Sequence, residues 1–137
     1  MSQQNIDLVQ SGYAAFGRGD LDGLIATLDH DVEWKTPGAA DLPTAGVRRG
    51  HAQVREFFGV LSDAIEFEHF EPQTFIADGD RVVVLGFDRF RVKGGERTIS
   101  EPWCHVFTIR NGKIVAFQEF LDTAALAAEL KAATARV

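Results

Sequence analysis

From Arg97 to Leu121 the chain reads RTISEPWCHVFTIRNGKIVAFQEFL. Two apolar runs flank Asn111-Gly112, the strongest short-range signal for a β-hairpin. In the first run Trp103, Phe107 and Ile109 share one face, and Cys104 and Val106 share the other. In the second, Val115, Phe117 and Leu121 alternate with Ile114, Ala116 and Phe120. An antiparallel sheet with one wet face alternates apolar and polar residues. Here both faces read as buried.

Outward from this hairpin the period-two pattern continues. It predicts strands at about 65–77, 81–93, 97–110 and 113–121, separated by Asp78-Gly79-Asp80, Gly94-Gly95 and Asn111-Gly112. The front of the chain has helical spacing instead. Ile6, Val9, Tyr13 and Phe16 form one stripe that ends at Gly17-Arg18-Gly19. Asp20 reads as the N-cap of a second helix carrying Leu21, Leu24, Ile25 and Leu28. A short strand from Val32 to Thr36 stops at Pro37-Gly38, and Gly38 to Gly50 reads as a long loop. His51 to Leu61 is a third helix, with Val54, Phe57, Phe58 and Leu61 on one face. Asp122-Thr123 caps an Ala-rich terminal helix that runs to about Ala133. The plan is α+β, with residues 1–137 as a single domain. Three front helices cover one sheet face, so the second is expected to meet another copy in a homodimer through the sheet. The alternative is that the terminal helix covers it.

Composition narrows the function. The 137 residues hold 14 Lys and Arg against 20 Asp and Glu, a net charge of −6, which argues against a nucleic-acid partner. Cys104 is the only cysteine, so no disulfide framework exists. No apolar run is long enough to cross a membrane as a helix, and the opening Met1-Ser2-Gln3-Gln4-Asn5 lacks a secretory pattern, so a cytoplasmic protein is expected. Eleven Phe, two Trp and one Tyr supply much apolar bulk for so small a domain. They fit a packed core or the walls of a concave cavity.

Several segments together resemble the nuclear transport factor 2-like superfamily: Tyr13-Ala14-Ala15-Phe16-Gly17-Arg18-Gly19-Asp20-Leu21, Asp31-Val32-Glu33-Trp34, Arg49-Gly50-His51, Asn111-Gly112-Lys113-Ile114 and Phe120-Leu121-Asp122-Thr123. Within it the chain is most similar to SnoaL-like proteins, the branch that contains polyketide cyclases. The resemblance spans about Ile6 to Leu130. It implies a curved, cone-shaped antiparallel or mixed sheet wrapped by N-terminal helices around an apolar pocket. The same fold hosts enzymes, ligand binders and dimerisation modules.

The resemblance also implies a catalytic pair, His105 and Glu119, matching a His on the penultimate strand and an acid on the last. The family's acid is an Asp; this one is longer. Whether the two share a face depends on the turn. A two-residue Asn111-Gly112 loop pairs His105 with Gln118 and sends Glu119 to the opposite face. A three-residue loop with Gly112 as a bulge pairs Ile109 with Lys113 and makes the two diagonal neighbours. The resemblance favours the second register, which is the one expected. Burial against Trp103 and Phe117 favours the neutral acid, and a protonated His105 favours the carboxylate. Such a pair suits proton removal beside a carbonyl, as in isomerisation or aldol cyclisation.

Two related activities fit less well. The base Asp of ketosteroid isomerases corresponds to Thr36, their oxyanion Tyr falls near Gly12 with Tyr13 one residue off, and their oxyanion Asp falls at His105. Limonene epoxide hydrolases use an Asp-Arg-Asp set, and the penultimate strand offers no Arg-x-Asp. Tyr13, Trp34, Phe57, Phe58, Phe87, Trp103 and Phe117 are the expected pocket walls, with Trp103 holding the substrate. His30, His51 and His69 lack metal-ligand spacing, so no metal is expected. No phosphate loop is present, and no cofactor is expected. The expected ligand is a small apolar carbonyl compound; the alternative function is a non-catalytic binding or dimerisation module.

Overall fold

The computed structural model describes residues 2–135. The chain runs α1 (Ser2–Gly17), α2 (Leu21–Ile25), β1 (Leu28–Thr36), β2 (Gly46–Arg49), α3 (Gly50–Ala64), β3 (Ile65–Asp78), β4 (Arg81–Val92), β5 (Thr98–Arg110), β6 (Lys113–Phe120) and α4 (Ala124–Ala135). All six strands lie in one sheet, ordered β2-β1-β6-β5-β4-β3. β1 and β6 are parallel and every other pair is antiparallel. Among the described residues, no helix is long and apolar enough to cross a membrane.

The helical front is shorter than its periodicity predicts. The Asp20 carboxylate accepts from the Gly23 N–H at 2.9 Å and starts α2. The helix stops after Ile25, because the Thr27 carbonyl accepts from the Ile114 N–H at 2.9 Å. That bond draws Leu28 into the sheet beside Ile114 as the first residue of β1. The segment read as one long loop also contains β2, whose Arg48 ties down the residues before it. Its guanidinium donates to the Pro43 carbonyl at 3.0 Å and to the Thr44 and Ala45 carbonyls at 3.3 Å. It also lies 5.0 Å from the Phe57 ring centroid on α3.

Alternation along β4 separates the two sheet faces. Val82, Val84, Gly86, Asp88, Phe90 and Val92 are buried, while Leu85, Arg89 and Arg91 are exposed. α1 and α3 pack on the buried, concave side, where Val9 and Val54 join Val32, Val82, Val84 and Ile114. A second cluster of Leu42, Ile65, Phe90, Val92, Ile99 and Leu126 closes one end. α4 therefore packs at an end of the concave side and does not cover the outer face.

Candidate active site

The β5–β6 hairpin differs from the expected register, and the difference positions the site. Arg110 pairs with Lys113 across a two-residue turn. Asn111 and Gly112 both have positive φ, 52° and 73°, as a type I′ turn requires. The register then shifts: Ile109 faces Ile114, but Thr108 faces Ala116, leaving Val115 as an extra residue. This bulge inverts the facing of everything beyond it on β6. His105 comes directly opposite Glu119, rather than diagonal to it, and both face the concave side.

A hydrogen-bonded chain results. His105 Nε2 lies 2.9 Å from Glu119 Oε2, and His105 Nδ1 lies 2.7 Å from the Tyr13 hydroxyl. A neutral imidazole protonated at Nε2 satisfies both contacts, donating to Glu119 and accepting from Tyr13. Burial, and secondarily the charge of Glu119, push the Tyr13 phenol well above its ordinary range, so it remains a donor. His105 is 5% exposed and held by rings: Trp103 stacks on it at 4.0 Å between centroids, and Phe117 meets it edge-on at 4.8 Å. The sequence marks Tyr13 only as a wall. Its bond to His105 joins residues 92 positions apart and leaves no local signal.

These residues border a cavity of about 110 Å³. Engineered apolar cavities of about 150 Å³ admit benzene, so the space suits a molecule of one small ring. Tyr13, Trp34, Phe57, Phe58 and Phe117 line it, together with His105 and Glu119. Trp34 stacks on Phe117 at 3.9 Å, and its indole N–H has no hydrogen-bond partner. Two expected walls are placed differently. Phe87 lies on the outer face, because it occupies the opposite phase of β4 from Gly86 and Asp88; its ring contact is with His69. Trp103 is inward but has no cavity surface. It fills the space over Gly86, where a Cβ would run into its indole, and it is stacked between Phe70 and His105. In this position it braces His105 and has no contact with the cavity expected of a substrate-holding wall.

Sequence reading also missed two cavity acids, Asp88 on β4 and Glu101 on β5. They are direct cross-strand partners and only 6% and 7% exposed. Asp88 Oδ1 and Glu101 Oε1 are buried without a hydrogen-bond partner. Burial first, then the charges of Glu101 and Glu119, push the Asp88 carboxyl up to about 7. Burial, Asp122 and Glu119 likewise push Glu101 up to about 7. The signal was the inward phase of both residues in strands whose neighbours at those positions are apolar. At the start of β1, Asp29, His30 and Asp31 bring potential ligand atoms within 4.8 Å of one another, but His30 and Asp31 are solvent-exposed side chains.

A curved mixed sheet closed by helices over a cavity with polar groups on its last strands is the architecture of the nuclear transport factor 2-like superfamily. Residues 9–117 match the SnoaL-like domain. An uncharacterized protein of Mycobacterium tuberculosis is 30% identical over 119 residues, covering 85% of this chain and 87% of its own. A nuclear transport factor 2-like protein from Burkholderia xenovorans superposes with a TM-score of 0.85 at 39% identity, over 95% and 98% of the two chains. TerC, co-crystallized with polyporic acid, superposes with a TM-score of 0.81 at 28% identity, over 93% and 98%. The chain belongs to the SnoaL-like domain family.

Proposed function

We propose that the protein catalyses proton transfer, without a cofactor, on a small, largely apolar carbonyl compound bound in the cavity. The observation that carries this reading is Glu119 on the cavity wall, held by His105, which is held in turn by Tyr13. The Glu119 carboxylate takes a proton from the carbon beside the carbonyl. The C–H bond breaks, an O–H bond forms on Glu119, and the electron pair moves to the carbonyl oxygen as an enolate. The unpartnered Trp34 indole N–H is the donor available to that oxygen. Returning the proton to another carbon gives isomerisation; attack of the enolate on a second carbonyl gives an aldol cyclisation.

Deuterium uptake in D2O tests the step directly, with cyclohex-2-enone and cyclopentanone as probes. The expected result is protein-accelerated exchange beside the carbonyl that Glu119→Gln abolishes. Exchange that survives Glu119→Gln overturns the mechanism. The second reading, a binding module, is favoured by the internal satisfaction of Tyr13, His105 and Glu119. A carbonyl probe that binds tightly and shows no exchange supports it.

The reading includes a homodimer through the outer sheet face. There Leu85, Cys104 and Phe120 form one cross-strand row, and Ile76, Val83 and Val106 form the next. Ile76, Leu85 and Phe120 are 51%, 43% and 49% exposed in the single chain. Native mass spectrometry is expected to give a dimer that Leu85→Glu dissociates; a monomeric wild type overturns this part.

A further inference from the structure

The proton-transfer reading uses one pole of the cavity and leaves the other unexplained. On β5 the successive inward positions are Glu101, Trp103 and His105, so the Asp88–Glu101 pair lies beyond Trp103 from the Tyr13–His105–Glu119 relay. Two carboxyl groups there are more than nine-tenths buried, line the cavity, and each has an oxygen with no partner. A buried acceptor left unpaired is destabilising, and two of them side by side on a cavity wall are explained by a donor that comes from a bound molecule. Among the described residues, no Lys or Arg lines the cavity. Phe67 and Phe90, which pair across β3 and β4, also line it, and Phe90 is the next inward residue after Asp88. Aromatic faces beside acids favour a cation and disfavour an anion.

We propose that the Asp88–Glu101 pole is a binding site for a protonated amine, so that the molecule the cavity takes carries a cationic, hydrogen-bond-donating nitrogen. An ammonium group has three donors and satisfies an oxygen of each acid at once, whereas a hydroxyl has one. The bonds it makes are charge-assisted, the stronger kind in a dry site. Of the ionisable groups near the pair, Glu119 on β6 acts on both Asp88 and Glu101, and Asp122 after it acts on Glu101. Both are acids and both add to the attraction for a cation. α4, which packs against β4, carries one more buried acid, Glu129, 4% exposed. This inference rests on the cavity being a ligand site, as proposed above, but not on Glu119 being a catalyst.

The experiment is isothermal titration of the full chain with three molecules of one shape: benzylamine, benzyl alcohol and benzoate. At pH 8 benzylammonium is expected to bind about tenfold or more tighter than benzyl alcohol, with benzoate weakest. The preference should disappear at pH 5, where both carboxyls are protonated, and in Asp88→Asn/Glu101→Gln at pH 8. The single amide variants provide the same test should the double variant be poorly folded, and the wild-type ligand and pH series needs no variant. Equal or tighter binding of the alcohol or benzoate overturns the proposal, as does a preference that persists in the amide variants. Failure of all three to bind also overturns it. Because binding is read without turnover, loss of the Glu119 mechanism in the deuterium experiment would leave an amine preference standing.

Discussion

The two poles of the cavity share strand β5 and nearly the same burial, yet they are opposite in hydrogen bonding. At His105 both ring nitrogens have partners and stacked rings fix the imidazole. Two inward positions away, Glu101 and its neighbour Asp88 keep oxygens with no partner. A satisfied polar chain is rigid and defines a geometry; an unsatisfied one stores free energy until a donor arrives. The first arrangement suits chemistry that needs a fixed base. The second suits recognition.

The largest effect that could break this contrast lies at the relay. Glu119→Gln keeps shape and one acceptor but removes the basic group, and it should lower α-proton exchange by about 10²–10⁴-fold. Binding of a carbonyl probe should change little. A variant that exchanges as fast as the wild type would mean that the relay is structural, and then the poles do not differ in role.

The next effect acts on the residue between them. Gly86→Ala places a Cβ inside the Trp103 indole, which abuts His105 and follows Glu101. Overpacking of this kind costs about 1–3 kcal/mol. A loss of unfolding free energy of that size in urea titration, together with slowed exchange, is expected. Unchanged stability would show that Trp103 has room to move, so it could not be the brace described.

The acid pole has a signature of its own in stability against pH. Asp88, raised from 3.8 to about 7, and Glu101, raised from 4.5 to about 7, hold protons in the folded state that the unfolded chain has released. Stability from these groups is therefore fully present below about pH 4 and is lost as pH rises toward 7, by about 1.4 kcal/mol per pH unit for each proton. Asp88→Asn/Glu101→Gln should flatten the slope between pH 5 and 7 and make the protein more stable at pH 8. Urea titrations at fixed pH measure both. A slope that the double variant leaves intact would assign it elsewhere.

How much of this is legible in the sequence follows the range of the interactions. The hairpin at Asn111-Gly112 and the alternating strands are readable because each is a local period or turn, whereas the pocket that Trp34, Phe57, Phe58 and Phe117 line is implied by the family resemblance. His105 and Glu119 emerge from family resemblance, and the shared face it implies arises by a different geometry from the three-residue turn expected. The turn has two residues, and the inversion comes from Val115 in an otherwise regular apolar run, where nothing in the side chains marks a bulge. Phe87 was misplaced because a both-faces-apolar strand does not say which phase points inward. Asp88 and Glu101 were overlooked for a related reason. In a chain with 20 acids, one in a strand reads as solvated until its cross-strand partner is known.

The smallest effect tests whether satisfaction itself matters at the relay. Tyr13→Phe keeps the ring that stacks on His105 at 5.9 Å and removes only the donor to Nδ1. His105 would then hold one unpaired nitrogen, the condition that Asp88 and Glu101 tolerate at the other pole. Losing a buried hydrogen bond of this kind costs about 1 kcal/mol, and loosening the tautomer preference should slow exchange by about tenfold. The pH profile separates positioning from packing. A donor that selects the Nε2–H tautomer should, when removed, alter the pH dependence of exchange as well as its rate, while a ring that merely fills space should change neither. If Tyr13→Phe exchanges like the wild type at every pH, the hydroxyl is a passive partner and the relay reduces to His105 and Glu119.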